Sequence, residues 1–310
     1  FDKIVSHVRF LENHLANHEE VPKFDFSRFE ASIGKPKNEE NLYIDDEIEE
    51  MFHVVLEELE EDKLYKSFKI IDKRNLLVMT KKVLKTDQTI EFQDFKNTIV
   101  EFEILKQINH PSISKTYGIN VQEKVIRERD DLTTISLFVE FLEYSLNSFL
   151  EKNILTNSMK VKIAVEIASG MSHIHKLGII HRDLSIKSIK LNKSFEAKII
   201  NFGQIHLHDT LLNESTIELT KNIGDSVFMS PEMQNDDDVY DNKTDVYSFG
   251  VILFKMFAGV FPEISFKDII SKVSPKFPSP SPSISECCIE LIKKCMSYDQ
   301  KERPSFDEIL

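Results

Sequence analysis

The stretch His181-Arg182-Asp183-Leu184-Ser185-Ile186-Lys187-Ser188 is the most informative part of this chain, together with Asn201-Phe202-Gly203, which begins eighteen residues after Asp183. Asp183 supplies a carboxylate that can accept the proton of a hydroxyl group. Ser188 and Asn201 offer only neutral oxygens, whereas Mg²⁺ prefers hard anionic ones. The two stretches therefore predict a site with a retained base beside two weak metal ligands.

The residues around this site change from a strand pattern to a helix pattern. Apolar residues alternate over Tyr65–Ile70 and are continuous over Leu76–Met79, which predicts two strands, over Tyr65–Ile70 and Leu76–Thr80, joined by a turn at Asp72–Asn75. Further elements are predicted as a helix over 91–108, strands around 112–121 and 134–140, and helices over 145–152, 158–177, 243–258 and 284–297. Strands followed by helices predict a two-lobed α+β fold.

The residues before this region predict a helical extension over residues 1–62. Apolar residues recur at helical spacing up to Leu15, a polar connection occupies 19–43, and a second, acidic helix is predicted over Asp45–Asp62. The extension is interpreted either as a structural element that packs against the following domain or as a module that docks a partner. Because the chain begins without Met and ends inside a helical pattern, we interpret it as a piece of a longer polypeptide.

Composition excludes several classes of function. A net charge of −13 disfavours nucleic acids and anionic membranes as partners. The sequence contains no run of about 18 apolar residues, so it predicts no membrane span. Cys287, Cys288 and Cys295 are clustered without CxxC spacing, which indicates reduced thiols in an intracellular, cytoplasmic protein.

Seven motifs occur in a fixed order along the chain. They are Val78–Lys81, Glu101 ahead of Ile104–Pro111, Phe138–Leu142, Gly178–Asp183, Ser230–Glu232, Asp245–Gly250 and Arg303-Pro304. In this order they resemble the landmarks of the protein kinase family, which places a β-rich N-lobe at about 63–142 and a helical C-lobe at about 143–310, truncated in its last helix. The stretches His110–Ile113 and Asp245–Gly250 are most similar to the tyrosine-kinase-like group. The resemblance also implies that Arg303 pairs with Glu232, and that His181, Phe202 and Leu105 pack in one hydrophobic column.

The resemblance assigns roles to single residues. It makes Lys81 the phosphate-binding lysine, Glu101 its partner on helix C, and Asp183 the catalytic base. The alternative for Lys81 and Glu101 is a buried, purely structural ion pair that joins the strand to the helix. It places the nucleotide pocket at Lys81, Met79, Val139, Glu140, Leu142 and Lys190. In that pocket Val139 is the gatekeeper, Met79 replaces a small residue above the adenine, and Lys190 replaces a leucine below it.

Several of these positions depart from the family pattern. Ser188 and Asn201 replace an asparagine and an aspartate that bind magnesium, so both metal positions are expected not to bind. The segment Glu57–Asp62 stands where a glycine-rich loop would hold phosphates, and it contains carboxylates but no glycine. Ser185 replaces a lysine beside the transferred phosphate, and Asp225 replaces a threonine near the catalytic loop.

The resemblance also predicts a regulatory role. Arg182 is expected to bind a phosphorylated or acidic residue of the segment 204–229. The candidate residues are Ser215, Thr216, Thr220 and Ser226. The leading hypothesis is a pseudokinase that needs no cofactor and regulates other proteins, such as an active kinase or its substrate. The alternatives are a divergent serine/threonine kinase using ATP with Mg²⁺ or Mn²⁺, and a nucleotide sensor that binds ATP without metal.

Overall fold

The computed structural model describes residues 44, 46–59, 61, 64–85, 92–124, 132–152, 155–202, 206–207, 227–234, 241–262 and 285–310. The chain divides into two units. A sheet unit comprises Phe1–Asn109 and Lys115–Phe141, and a helical unit comprises His110–Ser114 and Leu142–Leu310. Together they have the two-lobed α+β architecture that the sequence predicts.

The sheet unit contains five antiparallel strands and two described helices. The strands are β1 His53–Glu58, β2 Tyr65–Asp72, β3 Leu77–Leu84, β4 Thr116–Lys124 and β5 Leu132–Glu140, in the order β1-β2-β3-β5-β4. Helix α1 spans Asp46–Phe52 and helix α2 spans Phe92–Leu105. The predicted turn is present between β2 and β3.

The two faces of this sheet bury different apolar residues, because side chains alternate along each strand. On one side, Leu137 and Val139 pack with Ile99 and Phe102 of α2; we call this side the α2 face. On the other side, Ile70, Met79 and Phe138 form a second cluster, against which Ile44 packs. We call it the α1 face, because Glu49 of α1 lies there and bonds to the side chain of Asn120.

The predicted acidic helix over Asp45–Asp62 is wrong in its second half. The helix ends at Phe52, and His53–Glu58 form β1, which pairs with β2. Val54 and Val55 are β-branched residues that favour a strand over a helix. The sheet therefore begins ten residues before the boundary predicted at residue 63, and α1 leads directly into it.

The helical unit contains the elements that hold the catalytic loop. They are β6 Tyr144–Ser145, α3 Leu146–Glu151, α4 Asn157–Lys176, β7 Ile179–Ile180, a 3₁₀ helix at Ile186–Ser188, β8 Ile189–Leu191, β9 Ala197–Ile199, β10 His206–Leu207, α5 Pro231–Gln234, α6 Lys243–Ala258, α7 Glu286–Cys295, a 3₁₀ helix at Gln300–Glu302, and α8 Phe306–Ile309. All four helices predicted here from apolar spacing are confirmed within two residues at their ends.

Helix α6 forms the core of the helical unit. Thirteen of its sixteen residues are buried, so it is apolar on nearly every side. It ends at Gly259, whose φ of 78° is the left-handed conformation that glycine adopts without strain. Such a helix can hold the loops that surround it in fixed positions.

None of the described helices combines the length and the apolar character needed to cross a lipid bilayer. The predictions of a helix near the N-terminus and of a connection at 19–43 lie outside the described residues.

His53, where α1 meets β1, makes the stability of the sheet unit depend on pH. Its side chain is 5% exposed, and neither ring nitrogen has a hydrogen-bond partner among the described residues. Burial lowers the pKa of His53, although Asp72 and Glu49 oppose this shift and Arg74 and Lys81 add to it.

Because the folded state prefers neutral His53, we expect full stability above the ordinary pKa of about 6.5 and a loss as the pH falls below it. Urea unfolding at pH 7.5, 6.5 and 5.5 measures this loss. It should be smaller in His53→Phe, which keeps a ring beside Phe138. An unchanged pH dependence in that variant would contradict the assignment. The half-buried His110, whose pKa is also lowered by burial, contributes to the dependence that remains.

Candidate nucleotide and catalytic site

Two adjacent lysines of β3 point to opposite faces of the sheet. Lys82 pairs in register with Leu137 of the α2 face, and Lys81 pairs with Phe138 of the α1 face. Register partners in an antiparallel sheet share a face, so the two ammonium groups serve different neighbours.

Lys82 lies on the α2 face, where the family's lysine meets helix C. Its Nζ is 5.2 Å from the ring centroid of Tyr65, whose hydroxyl lies 2.7 Å from Thr98 Oγ1 in α2. Glu101 follows Thr98 by three residues and is 3% exposed, so it lies on the same side of the helix. Lys82, and not Lys81, therefore lies on the face of the sheet that α2 covers, where the lysine partner of Glu101 was expected.

Lys81 instead binds α1, which corrects its predicted role. Its Nζ donates a hydrogen bond to Oε1 of Glu49, and Nδ2 of Asn120 donates to the other carboxylate oxygen at 2.7 Å. Glu49 is 9% exposed, so this carboxylate is buried between β3 and β4. Lys81 joins the extension to the sheet and does not face α2.

The same one-residue shift corrects the role of Met79. Met79 is 2% exposed in the cluster of the α1 face, beside Ile70 and Phe138. Thr80 lies on the α2 face, opposite Val139 in register. Thr80, rather than Met79, therefore shares the α2 face with Lys82 and Val139, and the expected crowding of adenine by Met79 does not follow from this register.

At the end of β5 and just after it, the predicted residues Val139 and Leu142 are buried, and Glu140 is half-buried. Val139 is packed on the α2 face, and Leu142 is buried at the start of the helical unit. The backbone N–H of Glu140 donates to the carbonyl oxygen of Lys115 at 2.8 Å, and its carboxylate accepts from the N–H of Lys115 at 3.2 Å. Glu140 is therefore fixed to the segment that leads into β4.

The connection between β1 and β2 contains no glycine that would let a phosphate approach the backbone. It spans residues 59–64, and one of its carboxylates, Glu61, forms an ion pair with Lys85 at 2.5 Å. The sequence of the connection thus supplies carboxylates where a phosphate-binding loop supplies glycines.

In the catalytic loop, two serines use their hydroxyls to hold the backbone. Ser188 Oγ accepts from the N–H of Ser185 at 2.8 Å and donates to the carbonyl oxygen of the same residue at 2.9 Å. Ser185 Oγ in turn accepts from the N–H of Lys187 at 3.3 Å. This capping box closes the 3₁₀ helix, and Ser188 is fully buried. The hydroxyls at these two positions therefore hold the loop together.

Asp245 of α6 holds the other end of the loop. Its carboxylate accepts from the N–H groups of His181 and Arg182, both at 2.9 Å, and bonds to Nε2 of His175 at 2.8 Å. Burial opposes ionisation of Asp245, but the hydrogen bond and charge of His175 outweigh it and lower its pKa. Arg182 adopts a φ of 65°, which these bonds stabilise. The backbone leading into Asp183 is thus held by one buried carboxylate.

The segment after β9 brings Phe202 against the catalytic loop. Phe202 is fully buried and packs edge-on against the ring of His181, with centroids 5.0 Å apart. Nε2 of His181 lies 3.1 Å from the carbonyl oxygen of Ile200. Asn201 has a φ of 64°, a left-handed conformation that asparagine tolerates better than most residues. The predicted contact of His181 with Phe202 is confirmed.

The side chains at the two predicted metal positions do not fit Mg²⁺. Ser188 contributes a buried hydroxyl already engaged with the backbone, and Asn201 contributes a neutral amide. Within the described ranges, no group of three or more His, Cys, Asp or Glu side chains is arranged to hold a metal ion. Lys190, predicted below the adenine, is half-buried in β8.

A buried ion pair joins α5 to the end of the chain. Nη1 and Nη2 of Arg303 donate to the two carboxylate oxygens of Glu232 at 2.6 and 2.8 Å. The predicted pairing of these residues is confirmed. Asp225 and the candidate phosphorylation sites Ser215, Thr216, Thr220 and Ser226 lie outside the described residues.

The sheet unit, the catalytic loop and the buried Arg303 pair define a two-lobed kinase-like domain. The family model of the protein kinase domain matches residues 63–310. The chain therefore belongs to the protein kinase family.

Three similar proteins come from Dictyostelium discoideum. The chain is 33% identical over 209 residues to a probable LIM domain-containing serine/threonine-protein kinase, covering 65% of this chain and 30% of that protein. It is 29% identical over 236 residues to a probable serine/threonine-protein kinase, covering 74% and 24%. It is 31% identical over 225 residues to a probable inactive serine/threonine-protein kinase, covering 68% and 18%. The chain thus spans less than a third of the length of each of these relatives.

Proposed function

We propose that this domain is a pseudokinase of the tyrosine-kinase-like group that regulates partner proteins by binding them. The observation that carries the proposal is the engagement of Ser188 Oγ with the backbone of Ser185, beside the neutral Asn201 at the second metal position. Phosphoryl transfer requires metal ions to neutralise the charge that develops on the phosphates. These two positions supply no carboxylate for that purpose.

The retained framework supports a regulatory role. The bonds of Asp245 to the catalytic loop, the contact of His181 with Phe202 and the Arg303–Glu232 pair hold a shape without requiring nucleotide. A partner, such as an active kinase or its substrate, would shift the equilibrium between two conformations of this framework. Phosphorylation of the segment that Arg182 is expected to bind would do the same. One relative is itself described as a probable inactive kinase.

A divergent serine/threonine kinase is the second candidate. Lys82 and the buried Glu101 on the α2 face, with Asp183 in the catalytic loop, favour it. In such an enzyme ATP with Mg²⁺ or Mn²⁺ would be bound by Lys82, and Asp183 would accept the proton of the acceptor hydroxyl. A sensor that binds ATP without metal or turnover is the third candidate.

Calorimetry with ATP, in EDTA and then with Mg²⁺ or Mn²⁺, separates these candidates when a phosphotransfer assay is run beside it. The pseudokinase proposal expects no turnover under any of these conditions. Metal-dependent phosphorylation that is lost in Asp183→Ala would overturn it, and binding in EDTA without turnover would favour the sensor. Lys82→Met with Lys81→Met as its matched control assigns any binding to the α2 face.

Restoring both metal ligands is not expected to restore catalysis. In the double variant Ser188→Asn and Asn201→Asp, we expect phosphotransfer to stay at the level of its Asp183→Ala derivative. The connection between β1 and β2 still lacks glycine, and Ser185 still replaces a lysine. Ser188→Asn also removes the hydroxyl of the capping box, so circular dichroism must first confirm folding. Strong, Asp183-dependent activity would show that the metal positions alone account for the loss.

A further inference from the structure

We infer that Lys69 fills the purine position of this domain with its own side chain and thereby excludes nucleotide. The inference rests on the proposed function. It adds a second reason for the loss of catalysis, which lies within the sheet unit and does not depend on the metal positions. It also differs from the expected obstacle, Met79, which lies on the other face.

Lys69 belongs to the α2 face next to Thr80. It is the register partner of Thr80 on β3, which is itself the register partner of Val139 on β5. The three side chains therefore form a row across the sheet. In a kinase that binds ATP, the purine would pack beneath this row, because Thr80 precedes Lys82 by two residues and lies above the predicted adenine position.

The Lys69 side chain reaches along this row to the segment that follows β5. Its Nζ lies 4.3 Å from the ring centroid of Phe141, a distance at which an ammonium is attracted to the face of an aromatic ring. Phe141 lies between Glu140 and Leu142, the residues predicted to border adenine. Both Lys69 and Phe141 are partly buried, so the lysine stem covers apolar surface.

This arrangement competes directly with a purine. A purine would have to move the ammonium off Phe141 and pack its ring against a lysine stem. The connection between β1 and β2 offers the phosphates carboxylates and no glycine, so it provides no compensating attraction. The sheet unit thus contains a cation held by its own aromatic residue where a ligand's ring would lie.

Substitution of Lys69 tests the inference without requiring catalysis. Lys69→Val removes the ammonium and the long stem, and it keeps strand propensity. Lys69→Arg keeps a cation that stacks on aromatic rings. Lys66→Val is the matched control, because Lys66 is exposed on the same strand. Its side chain points away from the α2 face, since its neighbour Ser67 pairs with Lys82 on that face.

Each protein is titrated with adenosine and with ADP in EDTA by calorimetry, and thermal unfolding confirms that each is folded. We expect Lys69→Val to bind both ligands at least about tenfold more tightly than the unsubstituted chain, a difference of about 1.4 kcal/mol. We expect Lys69→Arg and Lys66→Val to remain unchanged.

Two results would overturn the inference. One is tight adenosine binding by the unsubstituted chain, and the other is the absence of any gain in a folded Lys69→Val. Neither decides the proposed function, which depends on phosphotransfer with metal present. Conversely, turnover by the unsubstituted chain would refute the proposed function, whereas the adenosine titrations of Lys69→Val still report on the purine position.

Discussion

Replacing Arg303 by alanine is expected to lower the free energy of unfolding of the helical unit by about 3–5 kcal/mol, because the carboxylate of Glu232 would remain buried without its partner. Arg303 is 1% exposed, and it donates two short hydrogen bonds to Glu232. Its Nε also donates to the carbonyl oxygen of Ser297 at 2.8 Å, and its guanidinium lies 5.1 Å from the ring centroid of Tyr247. The substitution therefore removes an ion pair, a backbone contact and an aromatic contact together.

Urea unfolding with matched variants measures this effect. Lys301→Ala, which removes an exposed cation of the 3₁₀ helix that precedes Arg303, should change stability by less than about 0.5 kcal/mol. The double variant Glu232→Gln and Arg303→Met should be more stable than Arg303→Ala, because it leaves no charge buried. Equal stability of Arg303→Ala and Lys301→Ala would show that the pair contributes little.

The Arg303 pair could be predicted from the sequence because it depends on long motifs that occur in a fixed order. The α2 and α4 helices were likewise predictable from apolar spacing. In each case many residues contribute to the pattern, so an error at one position does not change the result.

The roles of Lys81 and Lys82 could not be settled in that way. They are adjacent and chemically identical, and a shift of one residue along a strand moves a side chain to the other face of the sheet. Only the pairing with Leu137 and Phe138 decides between them. The alternation of Leu84, Lys82 and Thr80 did contain a signal, because Leu84 is the apolar residue that continues the α2 face.

The bond from α1 to the sheet was missed for a different reason. The residues His53–Glu58 lie between acidic stretches, and the charge density of the segment favoured a single helix. The contact of Glu49 with Lys81 joins residues 32 positions apart, which no local pattern reports. Buried polar contacts of this kind become visible only after the strands are paired.

Replacing Glu49 by alanine is expected to release α1 from the sheet and to destabilise the sheet unit by about 3 kcal/mol, because Lys81 and Asn120 would lose their shared acceptor in a buried position. Only part of the docking would survive. Ile44 would still donate its N–H to the carbonyl oxygen of Ile119 at 3.0 Å, and the carbonyl oxygen of Phe52 would still accept from the N–H of Lys73 at 2.9 Å.

Hydrogen exchange over residues 46–58 and urea unfolding measure the release of α1. Glu50→Ala is the matched control, since Glu50 is exposed on the same helix. We expect exchange to accelerate at least about tenfold in Glu49→Ala, because a decrease of about 1.4 kcal/mol in the free energy of local opening raises the exchange rate tenfold. Exchange should stay unchanged in Glu50→Ala.

Lys82→Met separates the two faces of the sheet, because Lys82 lies on the α2 face whereas Glu49 bonds to Lys81 and Asn120 on the α1 face. That variant should leave exchange in α1 unchanged, whereas Lys81→Met should accelerate it. If Lys82→Met also released α1, or if Glu49→Ala behaved like Glu50→Ala, the assignment of Lys81 to the extension would be wrong. Because a lysine that binds α1 cannot at the same time bind phosphate on the opposite face, the same experiment determines which of the two lysines remains available to a nucleotide.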